Sequence, residues 1–386
     1  MIPIKTAVIG AGPSGILAAD KLLGSSALDA KVYMFEKSYD VGGIPVHYGS
    51  VPPNSPFKDL YAFVHDMRAE GLFSEGVDKE LGELLAKARE SPRLEQIAQT
   101  FKMIYHDLLE IDPNFKIWNN ATASRIRERK DGKYDVNVRI NGYNEIFTFD
   151  VVVSAVGAQP NGNPFSNVCD HEIPIQDALN EDSHMFSGRK VIVVGASHSG
   201  AIAVINALNQ GAQAVEIWYR GDKPFEEHRT DGDTKYFQFT GLNNPTRTNL
   251  RKSLDDAGRR VTFKRSDEVK TGIFKKKYHD WCIVPAIGFS RPPITFKRAD
   301  GTEGKLTNVL GGEYFGQCAP NLCYPETDEP IPRVYGLGLA YPLPFREGFL
   351  PNTFEREGAG IVGIYFTHEL SKMLVPDILQ NLPEEK

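Results

Sequence analysis

Thr6-Ala7-Val8-Ile9-Gly10-Ala11-Gly12-Pro13-Ser14-Gly15 decides how the rest of the chain is read. The apolar run predicts a buried strand, and the glycine-rich turn after it leads into a helix over 14–23 with Ile16, Leu17, Leu22 and Leu23 on its apolar side. A helix N-terminus leaves backbone N–H groups unpaired and carries partial positive charge, so it can hold a pyrophosphate. Glycine permits both the sharp turn and a close approach of backbone to phosphate. Lys31-Val32-Tyr33-Met34-Phe35-Glu36 reads as the next strand, followed by Lys37. Glu36 is placed to accept hydrogen bonds from both ribose hydroxyls of an adenosine.

The same order recurs further along. Lys190-Val191-Ile192-Val193-Val194 leads into Gly195-Ala196-Ser197-His198-Ser199-Gly200, and Ala214-Val215-Glu216-Ile217-Trp218-Tyr219-Arg220 reads as the second strand of that unit. Counted from the first glycine, Arg220 occupies the place of Glu36. An arginine accepts no ribose hydrogen bond, but its planar fork can clamp a 2′-phosphate, with His228 and Arg229 as candidates to assist. The alternative is a solvated arginine at a strand end. Two such turns imply two dinucleotides, and two dinucleotides imply electrons passing between them.

Outward from these units the chain reads as follows. Asp40-Val41-Gly42-Gly43 is either a second close approach to the first pyrophosphate or an ordinary turn. Residues 44–56 are rich in proline and glycine, and His47 there is the side-chain candidate for catalysis, with a packing or surface role as the alternative. The stretch 57–110 has helical periodicity, and 116–150 breaks into short strands with a hairpin signal at Asp131-Gly132. Val151 to Gly157, including Ala155, is a buried strand that ends in small residues, and Asp280 to Phe289, including Gly288, closes the second unit. A late strand, Arg333 to Ala340, contains Gly338, and a helix is expected over Gly358 to Met373. Backbone N–H groups around Thr353 to Glu357, with Glu355, precede that helix.

Composition narrows the classes. The 386 residues are 41% hydrophobic and 24% charged, values of a globular protein large enough for two or three domains. A net charge of −6 and a pI near 5.9 argue against nucleic acid as a partner. No apolar run nears the ~20 residues of a membrane span, and no signal-peptide pattern opens the chain, so the expectation is cytoplasmic. The four cysteines are too few for a disulfide scaffold. Cys318 and Cys323 form a C-x4-C pair, either redox-active or structural, and no metal is expected because no second Cys or His pair lies nearby.

With both turns placed, the chain resembles the two-dinucleotide-binding-domain flavoproteins, a group that includes disulfide reductases, thioredoxin-reductase-like enzymes and flavin-containing monooxygenases. Gly10, Gly12, Gly15 and Glu36 resemble its FAD fingerprint, with Gly42-Gly43 after it, and Gly195, Ser197 and Gly200 its nicotinamide-nucleotide turn. Ser154 to Pro160 and Pro285 to Phe289 resemble its two crossovers. The resemblance implies an α/β fold of two Rossmann-like, three-layer ββα domains, the NADPH domain inserted into the FAD domain. The boundaries implied are 1–157, with a helical insertion at 57–110, then 158–290, then 291–386.

The resemblance also implies that NADPH reduces FAD, and that the backbone N–H groups around Thr353 to Glu357, with Glu355, face the flavin's pyrimidine end. The usual disulfide-reductase cysteine positions are empty, and Gly338 is followed by Leu339 where reductases often carry an acid. Both departures are closer to the monooxygenase branch, which oxygenates a small soft nucleophile. The alternatives are a reductase of a disulfide, quinone or carrier protein, and a slow nucleotide-binding redox sensor. A small-molecule substrate is expected, no membrane partner is, and a homodimer is left open.

Overall fold

The computed structural model describes residues 1–42, 48–49, 51, 64, 74–90, 93–221, 223–225, 229–231, 234–236, 242, 246–269, 277–292, 294–306, 320–325, 327, 329–338, 340–341, 343–344, 354–355, 360–361, 368 and 370–382. The chain begins with β1 (Ile2–Ile9), α1 (Pro13–Leu23) and β2 (Leu28–Phe35), then α2 (Glu75–Glu90) and α3 (Leu94–Ile111). Next come β3 (Phe115–Trp118), β4 (Ala121–Glu128), β5 (Tyr134–Ile140), β6 (Tyr143–Phe149), β7 (Val151–Ser154), β8 (Gln159–Pro160) and β9 (His171–Glu172). After α4 (Ile175–Ala178) follow β10 (Lys190–Val194), α5 (His198–Asn209), β11 (Ala214–Tyr219), β12 (Arg229–Asp231) and β13 (Thr234–Tyr236). Then α6 (Thr246–Ala257), β14 (Val261–Arg265), β15 (Trp281–Pro285), β16 (Phe289–Ser290), β17 (Thr295–Lys297) and β18 (Glu303–Lys305). The last are β19 (Asn321–Cys323), β20 (Pro330–Gly336), β21 (Leu343–Pro344), β22 (Phe354–Glu355), β23 (Gly360–Ile361) and α7 (Leu374–Asn381).

Two sheets carry the architecture. The first runs β19-β20-β7-β1-β2-β3, and β20, β7, β1, β2 and β3 are parallel. The period of two along its strands sorts the side chains onto opposite faces. Ile4, Val8, Val32, Met34, Val151 and Val153 join one core with residues of α1, α2, α3 and α7. Ala7, Ile9, Phe35 and Val152 join another, with Ile126, Tyr134, Val136 and Phe296 from the sheet β18-β17-β4-β5-β6. The result is an antiparallel-rich sheet, a parallel sheet and a helical layer stacked in that order. Burial of both faces explains why β1 and β7 read as continuous apolar runs.

The second sheet runs β14-β11-β10-β15-β9 and its strands are parallel. One face packs on α5 through Val191, Val193, Val215 and Ile217. The other buries Ile192, Val194, Trp218 and Ile283 under Val168, Cys169 and Tyr278. The chain passes between the two sheets along β8 and β16, which pair with each other antiparallel. Leu94, at the start of α3, packs against the cores of both sheets.

The helical stretch expected over 57–110 appears as α2 and α3, with 57–63 and 65–73 outside the described residues. Of the helix expected over Gly358 to Met373, Gly360–Ile361 instead form β23, which pairs with β21, whereas His368, Leu370 and Ser371 are helical. The run Gly360-Ile361-Val362-Gly363 is poor in helix formers, and a strand partner wins. Among the described residues, no helix is long and apolar enough to cross a membrane.

Candidate functional site

The two glycine turns sit at the carboxyl ends of β1 and β10, each between a strand and a helix. Gly10 has φ +103°, and its N–H donates to the Phe35 carbonyl at 2.8 Å. A Cβ there would lie 2.3 Å from the Ala155 carbonyl oxygen, and one on Gly15 would lie 1.9 Å from that of Gly10. Both glycines are therefore required by the protein itself: the first for the turn, the second for the close packing of α1. Gly12 differs. It has ordinary dihedrals (φ −76°, ψ 179°), and a Cβ on it meets no atom of the described residues within 4 Å. The protein leaves space there, beside the N-terminus of α1, where Pro13 occupies the first turn and gives up an N–H that has no intrahelical partner.

Three further segments converge on this turn. Gly42, at φ +66°, is so close that a Cβ would be 3.1 Å from both the Ala11 carbonyl oxygen and the Gly12 Cα. Gly338, at φ +80°, abuts Ser14, with 2.2 Å between its virtual Cβ and the Ser14 Oγ. Glu36 is 4% exposed, and its carboxylate accepts the Ala11 N–H at 2.7 Å and the Ser38 N–H at 2.9 Å. Charge-assisted bonds of this kind are among the stronger ones. They fix the acid against the turn, with lone pairs left for a ligand. Lys37, next along, is exposed.

Hydrogen bonds and ring contacts tie the surrounding segments together. Ser154, fully buried at the end of β7, shares a hydrogen bond of 2.8 Å with the Tyr341 hydroxyl. Burial raises the pKa of Tyr341, so the hydroxyl keeps its proton. Arg291 lies 5.3 Å from the centre of the Tyr341 ring. Asp40, just before the glycine pair, takes a 2.8 Å bond from Lys102 on α3, and that bond holds its carboxyl below the usual range. The N–H groups of Leu94 and Glu95, in the first turn of α3, donate to the carbonyls of Val51 and Gly49. Tyr48 stacks edge-on against Phe289 of β16, and burial raises its hydroxyl to about 12.

The second turn repeats the first. Gly195 has φ +111°, its N–H donates to the Trp218 carbonyl at 2.8 Å, and a Cβ on it would lie 2.1 Å from the Ala286 carbonyl oxygen. A Cβ on Gly200 would lie 2.0 Å from the Gly195 carbonyl oxygen. Ser197 precedes the first residue of α5, His198, and Ser199 follows on the first turn. The crossovers end in Gly157 (φ +64°) and Gly288 (φ +88°), and the Gly288 carbonyl accepts the Asn161 N–H at 3.0 Å.

The register corrects one assignment. Ile9 pairs with Phe35 and Val194 with Trp218, so the residue in the place of Glu36 is Tyr219, and Arg220 matches Lys37. The link from Gly195 to its second strand is shorter than that from Gly10, and counting from the glycine overshoots. Arg220 is exposed at the strand end. Sequence spacing missed Tyr219; the strand ending, Trp-Tyr-Arg against Phe-Glu-Lys, was the available signal.

Gly43 and His47 lie outside the described residues, as do His228 and Cys318. Of Arg229 and Glu355 only the backbone is described: β13 lies between β12 and β22, with Tyr236 paired to both Arg229 and Glu355. Among the described residues, no cluster of His, Cys, Asp or Glu suits a metal.

The family profile described as "Pyridine nucleotide-disulphide oxidoreductase" matches residues 4–300. The chain belongs to this family. As a member of the pyridine nucleotide-disulphide oxidoreductases it also falls within the two-dinucleotide-domain flavoproteins. A search of curated proteins finds no significant match. Among solved structures it is similar to the bacillithiol disulfide reductase Bdr from Bacillus cereus, with a TM-score of 0.57, 14% identity, and 98% of this chain and 100% of that one covered. It is similar to the ornithine N-hydroxylase KtzI of Kutzneria, with a TM-score of 0.59, 11% identity, and 97% and 98% covered. It is also similar to the S-allyl-L-cysteine S-oxygenase of Allium sativum, with a TM-score of 0.56, 14% identity, and 99% and 79% covered. At these identities the likeness speaks for the fold, and it is shared by reductases and oxygenases.

Proposed function

We propose that this oxidoreductase binds FAD at the first turn and NADPH at the second. The observation that carries the reading is the open space at Gly12, bounded by Glu36, Gly42 and Gly338, in a turn whose other glycines are closed against protein. A pyrophosphate fits there, against the N-terminus of α1, and Glu36 retains acceptors for an adenosine ribose. By the same logic Gly195, Ser197, His198, Ser199 and Gly200 cradle the second pyrophosphate, and Arg220 supplies positive charge for a 2′-phosphate. FAD held by these residues would supply the redox chemistry, as an acceptor of hydride from the nicotinamide nucleotide.

The chain's own residues position the groups. Ala155, Gly157 and Gly338 give backbone that a ring system can approach closely. Tyr48 and Phe289, in edge-to-face contact, and the hydrogen-bonded Ser154–Tyr341 pair lie along the crossover.

The reading favoured for the second half-reaction is oxygenation of a small soft nucleophile, nitrogen or sulfur. Disulfide chemistry needs a thiol near the carboxyl edge of the first sheet. Cys323 is buried and pairs with Pro330 at the amino end of β20, while Gly336 and Gly338 lie at the other end. Asn321, two residues away, pairs with Tyr335 near that other end across an irregular register, so burial of the Cys323 thiol rather than distance sets it apart from the edge. Cys282 lies in β15 of the second sheet and Cys169 packs against that sheet, and both are buried.

The test is anaerobic reduction by NADPH followed by admission of oxygen and a candidate amine or sulfide. Oxygenated product in step with NADPH use is expected. Bleaching without product, but with reduction of a disulfide, quinone or carrier, would replace the oxygenase with a reductase. Failure of NADPH to bleach the flavin would end both readings.

A further inference from the structure

β6 closes one side of the sheet β18-β17-β4-β5-β6. The turn before it, Asn141-Gly142, has φ +49° and +91°, the two-residue hairpin geometry in which Ile140 and Tyr143 form a hydrogen-bonded pair. The alternation of an antiparallel ladder then turns the backbone groups of Tyr143, Glu145, Phe147 and Phe149 toward β5, and those of Asn144, Ile146 and Thr148 outward. Among the described residues, those outward N–H and C=O groups have no partner. Tyr143 is 75% exposed and Ile146 62%, and the strand contains no proline, lysine, arginine or bulge. An edge of this kind is a template for another strand, and proteins ordinarily blunt or cover it. The edge strand β14 of the second sheet is blunted in that way: it is five residues long and carries Lys264 and Arg265.

We propose that β6 is the seam of a homodimer, pairing antiparallel with β6 of a second copy about a two-fold axis at Ile146. The strand is complementary to itself in that register. Ile146 meets Ile146 in a hydrogen-bonded pair, Asn144 meets Thr148, Glu145 meets Phe147 and Tyr143 meets Phe149, with no like charges opposite each other. The neighbouring registers are worse. An axis at Glu145 sets two carboxylates face to face, and an axis at Phe147 carries Tyr143 past the end of the strand. Charge is complementary across the seam as well. Glu145 comes diagonal to the partner's Phe149, and in each chain the Lys5 ammonium lies 5.1 Å from the centre of the Phe149 ring. Within one chain, neither Lys5 nor Glu145 has an ion-pair partner among the described residues. The pairing joins two five-stranded sheets into one and covers Tyr143 and Ile146. Edge pairing is a small interface, so the dimer dissociates on dilution.

The test is sedimentation velocity of the full chain between about 1 and 100 μM. The wild type should pass from monomer to dimer over that range and form nothing larger, because a two-fold seam uses up the edge. Ile146→Lys sets like charges on the axis and should weaken the dimer about tenfold or more. The side chain is 62% exposed, so the unfolding midpoint of the dilute variant should match that of the wild type. Phe263→Lys, on β14, is the control and should dimerise as the wild type does. Ile146→Cys, with diamide as oxidant, should cross-link two copies, since the Cα atoms of a hydrogen-bonded antiparallel pair lie about 5.5 Å apart, within reach of a disulfide. Tyr143→Cys, whose two copies fall on opposite sides of the axis, should not cross-link. A protein that stays monomeric throughout, a dimer that Ile146→Lys leaves intact, or cross-linking through Tyr143→Cys in place of Ile146→Cys overturns the inference.

Discussion

Gly12→Ala separates what the first turn does for the protein from what it does for a ligand. The backbone at Gly12 suits alanine, and the new methyl meets no atom of the described residues within 4 Å. Replacing glycine at a compatible position restricts the unfolded chain and stabilises by about 0.4–1 kcal/mol. Gly12 is also the residue that caps α1, and alanine is a poorer cap by roughly 0.5–1 kcal/mol. The two effects offset, so stability without ligand should stay within about 0.5 kcal/mol of the wild type. The methyl instead occupies the space assigned to the pyrophosphate. Losing one charge-assisted bond there costs about 1.5–3 kcal/mol, or roughly ten- to hundredfold in affinity.

The assay is urea unfolding of the flavin-free protein beside a fluorescence titration with FAD. An unchanged midpoint with FAD binding weakened at least tenfold, to follow the ~1.4 kcal/mol per decade, is the expected result. Gly15→Ala is the contrast: its methyl would sit 1.9 Å from a carbonyl oxygen, so α1 must move and stability itself should drop. Wild-type FAD affinity in Gly12→Ala would refute the placement of the pyrophosphate. A large loss of stability would refute the claim that the space is open.

The other predictions concern groups around and beyond that turn. Glu36→Ala leaves two backbone N–H groups without their carboxylate and should cost about 2–6 kcal/mol, read as a lower urea midpoint even without FAD; an unmoved midpoint would mean that the acid is not part of the scaffold. Asp135 is buried, which raises its pKa, but hydrogen bonds from Arg127 and Thr148 outweigh burial and hold it below 3.8. Its stabilisation is then full above 3.8 and lost as pH falls through the lower folded value, so Asp135→Asn should be destabilising by about 1–3 kcal/mol at neutral pH and approach the wild type in acid; a constant gap across pH would contradict this. Cys323→Ser, alone and with Cys318→Ser, should leave electron transfer to an acceptor unchanged; a tenfold fall in the acceptor-reduction rate would bring the reductase back.

Much of this was legible because parallel strands buried on both faces are written as unbroken apolar runs. Val151-Val152-Val153 and Val191-Ile192-Val193-Val194 announce themselves, and the glycines mark where each run ends. The pairing of the turns with Ala155 and Ala286 follows from the crossovers, which also read as strands ending in small residues. What spacing did not carry was register. A difference in connector length between the two units moved the key position from Arg220 to Tyr219, and no local pattern reports the length of a neighbour's loop. The contact of Gly338 with Ser14 was hidden for a related reason, since it joins residues brought together only by the assembled sheet. The strand at Gly360–Ile361, inside the stretch expected to be helical, was not legible locally because its partner, Leu343–Pro344, lies well before it in sequence.

The strand order has a consequence for how the molecule is born. In the first sheet β1 and β2 pair early, but β7 and β20 flank them only after residues 151–154 and 330–336 have been made. The second sheet needs nothing beyond residue 285. A chain emerging at roughly 5–20 residues per second can therefore finish the later sheet before the earlier one. During that interval the first turn stands with its wall half built. A chain stopped at residue 300 should resist protease across the second sheet and be cut in the first, and the reverse pattern would show that assembly does not follow the order of synthesis.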